Sequence, residues 1–377
     1  MFKKKDRSVK KLREKSGWFM VLKGVGIVAG AGVIAVVSYV LYVVFDYNRI
    51  PDVQALKINK IMATQSEESL LQTEETYRMV SYNIGFGAYT PSFSFFMDGG
   101  KYSRAVSKNE CEATILAACE EMKTLDADFY LVQEVDIDST RSYHINEVEE
   151  IVSKMSGFDW TVIENYHSAY LCIPLQEPHG ESNAGMMFLS NRSISKGVRR
   201  SLPVQTGIKK FYDLDRCFGQ ITIPLENGKN LQVFEIHLSA YGIGDEIRQA
   251  QRDQLFAEMQ KSFQQGDYVI CGGDFNHDLN LSEEERGIAE WAQPFPRSEL
   301  PDGFSFVMDL CEEEDDSAFY SARNADTAYE EGVTGEFALD GFIISDNVEM
   351  IEYFVDRTGY QYSDHEPVVM DFKLLDN

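Results

Sequence analysis

The stretch Tyr268-Val269-Ile270-Cys271-Gly272-Gly273-Asp274-Phe275-Asn276 decides how this chain is read. A short apolar, β-branched run reads as a buried strand. It leads through two glycines to a carboxylate and an amide, groups suited to metal or phosphate chemistry. The same pattern recurs on both sides of it. The run 77–82 ends at Asn83, 129–133 at Glu134, 231–236 at His237 and 336–339 at Asp340, while Asp364 and His365 stand just before the run 367–372. Sheets collect polar groups from many strand ends at one rim, and sites form there. Any one such acid is usually a turn former or a solvated group, and a single histidine is usually structural. The ordered set carries the argument.

Helices separate some of these strands. Cys111, Ile115, Cys119 and Met122 fall on one face of a helix over 109–125, and Ile247, Leu255, Met259 and Phe263 on one face over 245–263. Elsewhere the chain turns back directly. The runs 218–225 and 231–236 flank Asn227-Gly228, a hairpin signal because this pair tolerates positive φ. Hairpins mixed with strand–helix–strand units predict an α/β fold with mixed sheets.

Phosphoester hydrolysis needs a cation for the phosphoryl oxygens, a base for water and a stabiliser for the leaving oxygen. Glu134, Asp274, Asp340 and Asp364 are hard oxygen donors of the kind Mg²⁺ takes, and His237 and His365 can move protons near neutral pH. Ser81-Tyr82-Asn83-Ile84-Gly85, Val132-Gln133-Glu134-Val135, Ile236-His237-Leu238, Gly273-Asp274-Phe275-Asn276, Leu339-Asp340-Gly341 and Ser363-Asp364-His365-Glu366-Pro367-Val368 follow one another in this order. In that order they resemble the motifs of the endonuclease/exonuclease/phosphatase superfamily, in a bacterial-type membrane-anchored form. The resemblance spans residues 77–374, and six motifs in sequence are specific where one is not.

The resemblance implies a four-layer α/β sandwich, two mixed sheets face to face with helices outside. It makes Glu134 the principal ligand of Mg²⁺ (or of Mn²⁺ or Ca²⁺), with Asn83 beside it and Asp364 near the metal. Asp274 and Asn276 orient the attacking water and a phosphate oxygen, Asp340 pairs with His365, and His237 marks the deoxyribonuclease and sphingomyelinase side of the family. Where deoxyribonuclease I has a glutamate that orients this histidine, the chain has Asn183. Which histidine is acid and which is base stays open. Gly272-Gly273-Asp274-Phe275 lacks the acid that a diguanylate cyclase signature needs at Phe275, and Gly85-Phe86-Gly87 is a turn. His144, His167 and His179 have no partner motif, and His277 and Asp278 end the loop after Asn276.

Charge divides the chain. Of its net −26, residues 1–23 hold nine Lys and Arg against Asp6 and Glu14, or +7, which leaves −33 for the rest. Residues 24–45 contain no acid or base apart from Tyr39 and Tyr42, long enough for a helix to cross a hydrocarbon core. A cleaved signal peptide is the weaker reading, since 38–48 offers no small-x-small site. A basic flank stays cytoplasmic, so the N-terminus is expected inside and the catalytic part outside. The expected layout is a basic cytoplasmic tail over 1–23, a transmembrane helix over 24–45, a partly helical stalk over 46–76 and a catalytic domain over 77–377. Six cysteines are scattered without CxxC spacing; an outside location would permit disulfides, but several sit inside apolar runs, where a buried free thiol is the plainer reading.

Two stretches bear on substrate. Arg192, Lys196, Arg199, Arg200, Lys209, Lys210 and Arg216 stand against Asp213 and Asp215 over 192–216, either a phosphate-collecting rim, with Arg199 and Arg200 as its substrate contacts, or solvated hairpin charges. Residues 89–97, with Phe93, Phe95 and Phe96, are core or an apolar lip. The leading expectation is a membrane-anchored hydrolase of a small or lipid-linked phosphoester, with no protein partner inferred. A nuclease acting on DNA or RNA is the second reading. A non-catalytic binding protein on this scaffold is the third, and the intact acid–histidine set argues against it.

Overall fold

The computed structural model describes residues 3–46, 49–61, 70–207, 214–239, 244–285, 291–313 and 315–376, with side chains from residue 18 onward. The chain forms two compact units, 1–48 and 49–377. The first is one helix, α1 (Lys3–Asp46), of which Trp18–Asp46, 29 residues, is long and apolar enough to cross a membrane.

The second unit runs in the order β1 (Val53–Ala55), β2 (Thr76–Asn83), α2 (Lys108–Leu125), β3 (Phe129–Asp136), α3 (Glu147–Lys154), β4 (Asp159–Leu171), β5 (Gly180–Ser190), β6 (Lys196–Ser201), β7 (Cys217–Pro224), β8 (Asn230–His237), α4 (Asp245–Gln264), β9 (Tyr268–Asp274), β10 (Phe304–Phe306), β11 (Ala322–Arg323), β12 (Glu336–Phe337), β13 (Asp340–Ser345), β14 (Val348–Val355) and β15 (Val368–Leu374). One sheet has the order β1-β6-β7-β8-β9-β13-β10, the other β14-β15-β2-β3-β5-β4, and β11 pairs with β12 alone. Both large sheets are mixed. Each holds one parallel pair, β2 with β3 and β8 with β9, joined through α2 and α4 respectively. A helix is the usual crossover that parallel neighbours need.

Burial shows the layers. Met79, Leu131, Phe188, Val233, Ile270, Phe342 and Met370 are buried together between the sheets. Cys111, Ile115, Cys119 and Met122 of α2 pack on Val80 and Tyr130 at the back of one sheet, and Leu255 and Met259 of α4 pack with Val269 and Cys271 at the back of the other. Alternate strand residues thus serve different layers, as strand geometry requires. No disulfide joins the six cysteines, and four of them are buried.

The structure differs from expectation in three places. Of the expected stalk over 46–76, the described residues 49–61 and 70–76 belong to the body instead. Val53–Ala55 pairs antiparallel with β6, Asn59 bridges Trp160, and Leu71 is fully buried between the sheets; residues 62–69 lie outside the described residues. Asp340 begins a strand rather than ending one. In the 225–230 turn only Gly228 has positive φ, with Gly228 N–H donating to Leu225 O.

Gly273 shows how closely the site end is packed. Its φ is +136°, and a Cβ there would stand 2.0 Å from the carbonyl oxygen of Ile236 on the neighbouring parallel strand. Gly273→Ala should therefore cost at least about 3 kcal/mol of stability. Urea unfolding measures this, and a wild-type midpoint would disprove so close an approach.

Candidate active site

Register assembles the first half of the site. His237 and Asp274 are the last residues of β8 and β9 and pair directly, and Asp340, the first residue of β13, pairs with Asp274. Three adjacent strands therefore present an imidazole and two carboxylates in one row. The facing sheet supplies the rest at the same end: Asn83 closes β2, and Asp364 and His365 immediately precede β15.

Asp274 Oδ2 is the focus. His237 Nε2 lies 3.5 Å from it and His365 Nε2 3.9 Å, and Asn83 Nδ2 donates to it at 3.2 Å. Its other oxygen accepts the backbone N–H of Asn276 at 2.8 Å, an Asx turn that holds Asn276 at φ +50° while its Nδ2 donates to Leu238 O at 2.9 Å. The motif thus forms an Asx turn at the point where Asp274 faces the two histidines. Burial, then the charge of Asp340, pushes the Asp274 carboxyl up to about 7.

Asp340 and His365 form a tight pair, Oδ2 to Nδ1 at 2.7 Å. Ser321 braces it: its Oγ donates to the same Oδ2 at 2.8 Å and accepts the backbone N–H groups of Leu339 and Asp340. Burial opposes charge on His365, but Asp340, Asp274 and Asp364 outweigh it and raise its pKa to about 10. His237 moves the other way. Burial, with Arg216 and His365 nearby, holds it well below the usual histidine range, so it is neutral. Arg216 Nη1 donates to the His237 carbonyl at 3.2 Å.

These shifts predict a pH effect on metal-free protein. A histidine whose folded pKa exceeds its unfolded one lends stability that is complete below about 6.5 and lost as pH rises through the folded value. The thermal midpoint should fall between pH 7 and pH 10, less so in His365→Gln. Parallel curves for the two proteins would mean that His365 is not charged in the folded state.

Glu134 sits where β3 leaves register with β5, between Val132 and Val135, at φ +57°. Its carboxylate accepts no hydrogen bond among the described residues. Arg141 Nη1 stands 3.7 Å away, while Arg141 Nη2 binds Asp136 at 2.8 Å and the guanidinium lies 3.9 Å over the Phe86 ring. Burial raises the Glu134 pKa, opposed by Arg141 and reinforced by Asp364. Burial raises Asp364 as well. Two poorly compensated carboxylates with spare oxygens fit a hard divalent cation. Asn83 fits less directly, since its Oδ1 already accepts Gly85 N–H at 3.0 Å. A second metal-sized group, Asp274, Asp340 and His365, keeps its ligand atoms within 4.8 Å. A protonated imidazole has no lone pair to offer, so we read the last two as a proton-holding dyad.

Three expected substrate contacts are not at this focus. Arg199 is fully buried, its guanidinium donating to Glu164 O, Pro51 O, Ser201 Oγ and Asp215 O. Arg200, next along the strand, faces the opposite way and pairs with Glu258 of α4 at 3.4 Å. Neighbouring strand residues cannot share a face, so the two cannot form one rim. Lys209 and Lys210 lie outside the described residues. Asn183 pairs with His167, and its backbone holds the 137–139 loop. No hydrogen bond joins it to His237, whose Nδ1 has no partner among the described residues. The sequence reading passed over Ser321, Arg141 and the placement of Arg216. No local pattern marks the first two, because their partners are set by tertiary contact. Of residues 89–97, Tyr89 and Phe93 are core and Met97 is exposed.

The protein-family model described as Endonuclease/Exonuclease/phosphatase family matches residues 80–304, which include Asn83, Glu134, His237, Asp274 and Asn276. No curated protein matches in sequence. Among solved structures, the chain is similar to an endonuclease/exonuclease/phosphatase from Beutenbergia cavernae (17% identity, 80% of this chain and 72% of that one, TM-score 0.53). It is also similar to D. rerio TDP2 complexed with a single-strand DNA product (13%, 80% and 100%, 0.52) and to the human Nocturnin catalytic domain with bound sulfate (15%, 85% and 97%, 0.51). At these identities the likeness shows the fold, and the family match covers more than half of the chain. The chain belongs to the endonuclease/exonuclease/phosphatase family, whose members hydrolyse phosphoester bonds.

Proposed function

We propose that the chain is a membrane-anchored, divalent-metal-dependent phosphoester hydrolase acting outside the cytoplasm on a small or lipid-linked phosphoester. The convergence of His237, His365 and Asn83 on Asp274 Oδ2, with His365 clamped by Asp340, is the observation that carries this reading. Glu134 and Asp364, with Asn83 beside them, would hold Mg²⁺, which when bound supplies charge neutralisation for the phosphoryl oxygens. Asp274, whose carboxyl is raised to about 7, takes the proton of the attacking water in its ionised form. Cationic His365 donates from Nε2 toward the phosphoryl group, and Asn276 helps to fix it. Neutral His237 completes the hydrogen-bonding wall. Anchoring is supported by the apolar span Trp18–Asp46, and its inside-out orientation by the +7 of residues 1–23.

Electrostatics favours a compact substrate. Affinity for duplex DNA comes from Lys and Arg that neutralise several phosphates. Residues 24–377 carry −33, and Arg192, Arg199 and Arg200 are spent on Asp128, backbone oxygens and Glu258. The nuclease reading remains the alternative. Turnover of a small or lipid phosphoester should exceed that of DNA at matched Mg²⁺ and at two salt concentrations. Efficient DNA cleavage that falls steeply with salt would replace the first reading by the second.

A further inference from the structure

Residues 170–175 read Tyr-Leu-Cys-Ile-Pro-Leu, six residues without a charge, at the far end of the β4–β5 hairpin. Such a run would ordinarily be buried. Here Leu175 is 79% exposed, Ile173 67% and Tyr170 40%. The tip is nevertheless held in place. His179 N–H donates to Ile173 O, His179 Nδ1 bonds to Ser103 O at 2.9 Å, and Arg104 Nη2 donates to Pro178 O at 3.0 Å. Residues 95–97 lie against the same hairpin, with the Phe95 and Phe96 rings 6.3 and 6.1 Å from His179, and this loop exposes Met97 at 63%. Ring contacts then lead inward: Phe95 meets Tyr89 at 5.9 Å, and Tyr89 crowds Gly85, two residues from Asn83. Two mutually braced loops therefore present four large apolar side chains to solvent, linked by packed rings to the candidate site.

Contiguous exposed apolar surface marks a contact with something apolar. We infer that this tip inserts into the lipid surface of the membrane that the chain's own N-terminal helix spans. The inference rests on the membrane reading above. Two features select lipid as the occupant. Only two residues of sequence separate the end of the apolar helix at Asp46 from the start of the body at Arg49, so the tether is short. The charged groups closest in sequence to the tip are acidic, Glu177 and Glu181. Arg104, the basic side chain that reaches the hairpin, is paired with Glu177 at 3.8 Å, so basic charge does not dominate the tip. The tip acts by apolar insertion, as Leu-, Ile- and aromatic-bearing interfacial segments do. Its effect is to hold the candidate site at the depth of a lipid phosphoester head group.

The test uses the full chain reconstituted in phosphatidylcholine vesicles. Cys172, at the tip, carries an environment-sensitive fluorophore in a Cys311→Ser background; the other four thiols are buried. The label should be quenched several-fold more by lipids brominated in the acyl chain than by iodide in the water, at low and high salt alike. Ile173→Asp with Leu175→Asp should reverse that preference. The same double replacement should lower turnover of a vesicle-embedded phosphoester at least tenfold and leave a soluble aryl phosphodiester unchanged, which also reports that the fold is intact. A label reached by iodide in the unmodified tip overturns the inference. So does a label shielded from both quenchers, which would mean a protein cover. Acyl-chain quenching without hydrolysis of any vesicle phosphoester would uphold the lipid contact and remove the lipid substrate from the proposed function.

Discussion

Changing His365 to Ala will lower turnover by roughly 10³-fold, Asp340→Asn will cost nearly as much, and the double change will cost little more than either. The reason is geometric. Asp340 Oδ2 holds His365 Nδ1 at 2.7 Å, and Ser321 Oγ fixes the same oxygen while accepting two backbone N–H groups. The pair has one degree of freedom between its members, the proton, so losing either partner removes the function of both. Asp340→Asn keeps the shape but cannot hold the ring charged, so its loss should be accompanied by a shift of the pH profile, which a packing defect would not give. Steady-state rates of the four proteins close the cycle. Losses that multiply would show that Asp340 and His365 act separately.

Glu134→Gln should raise the Mg²⁺ concentration needed for half-maximal turnover by on the order of 100-fold or more and leave the fold in place. The glutamate accepts no hydrogen bond among the described residues, and Arg141 keeps its stronger bonds to Asp136. Removing the charge therefore relieves a half-buried, poorly compensated carboxylate. The thermal midpoint without metal should stay level or rise, while the rise on adding Mg²⁺ should shrink. Calorimetric titration of metal into the two proteins reads the affinity without reference to turnover. Equal affinities would transfer the ligand role away from Glu134.

Much of this site was legible in the sequence because its members sit at the ends of short apolar runs, and both signals are local. Asn83, His237 and Asp274 fall at strand ends, and topology alone brings them to one rim. What was not legible depends on contacts far apart in the chain. Ser321 is an ordinary loop serine until Asp340 arrives 19 residues later, and nothing beside Arg141 announces Glu134. Leu71 stands in a polar stretch without periodicity, so only the folded core reveals that 70–76 belongs to the body. Arg199 and Arg200 are a different case, since their stretch left a rim and solvated charges both open. Charge composition invited a rim, yet strand alternation already required them to face opposite layers.

Strand β15 has a consequence for when this protein can work. It lies between the edge strand β14 and β2 in its sheet, and Val368 pairs with Ser81. The segment entering it delivers Asp364 and His365. A ribosome-bound chain lacking these residues would hold β2 with an open edge and a site without its dyad. Non-local pairing of this kind is slow and leaves intermediates exposed. The Asp340–His365 pair and the cover of β2 are therefore complete only once β15 has been made and has paired.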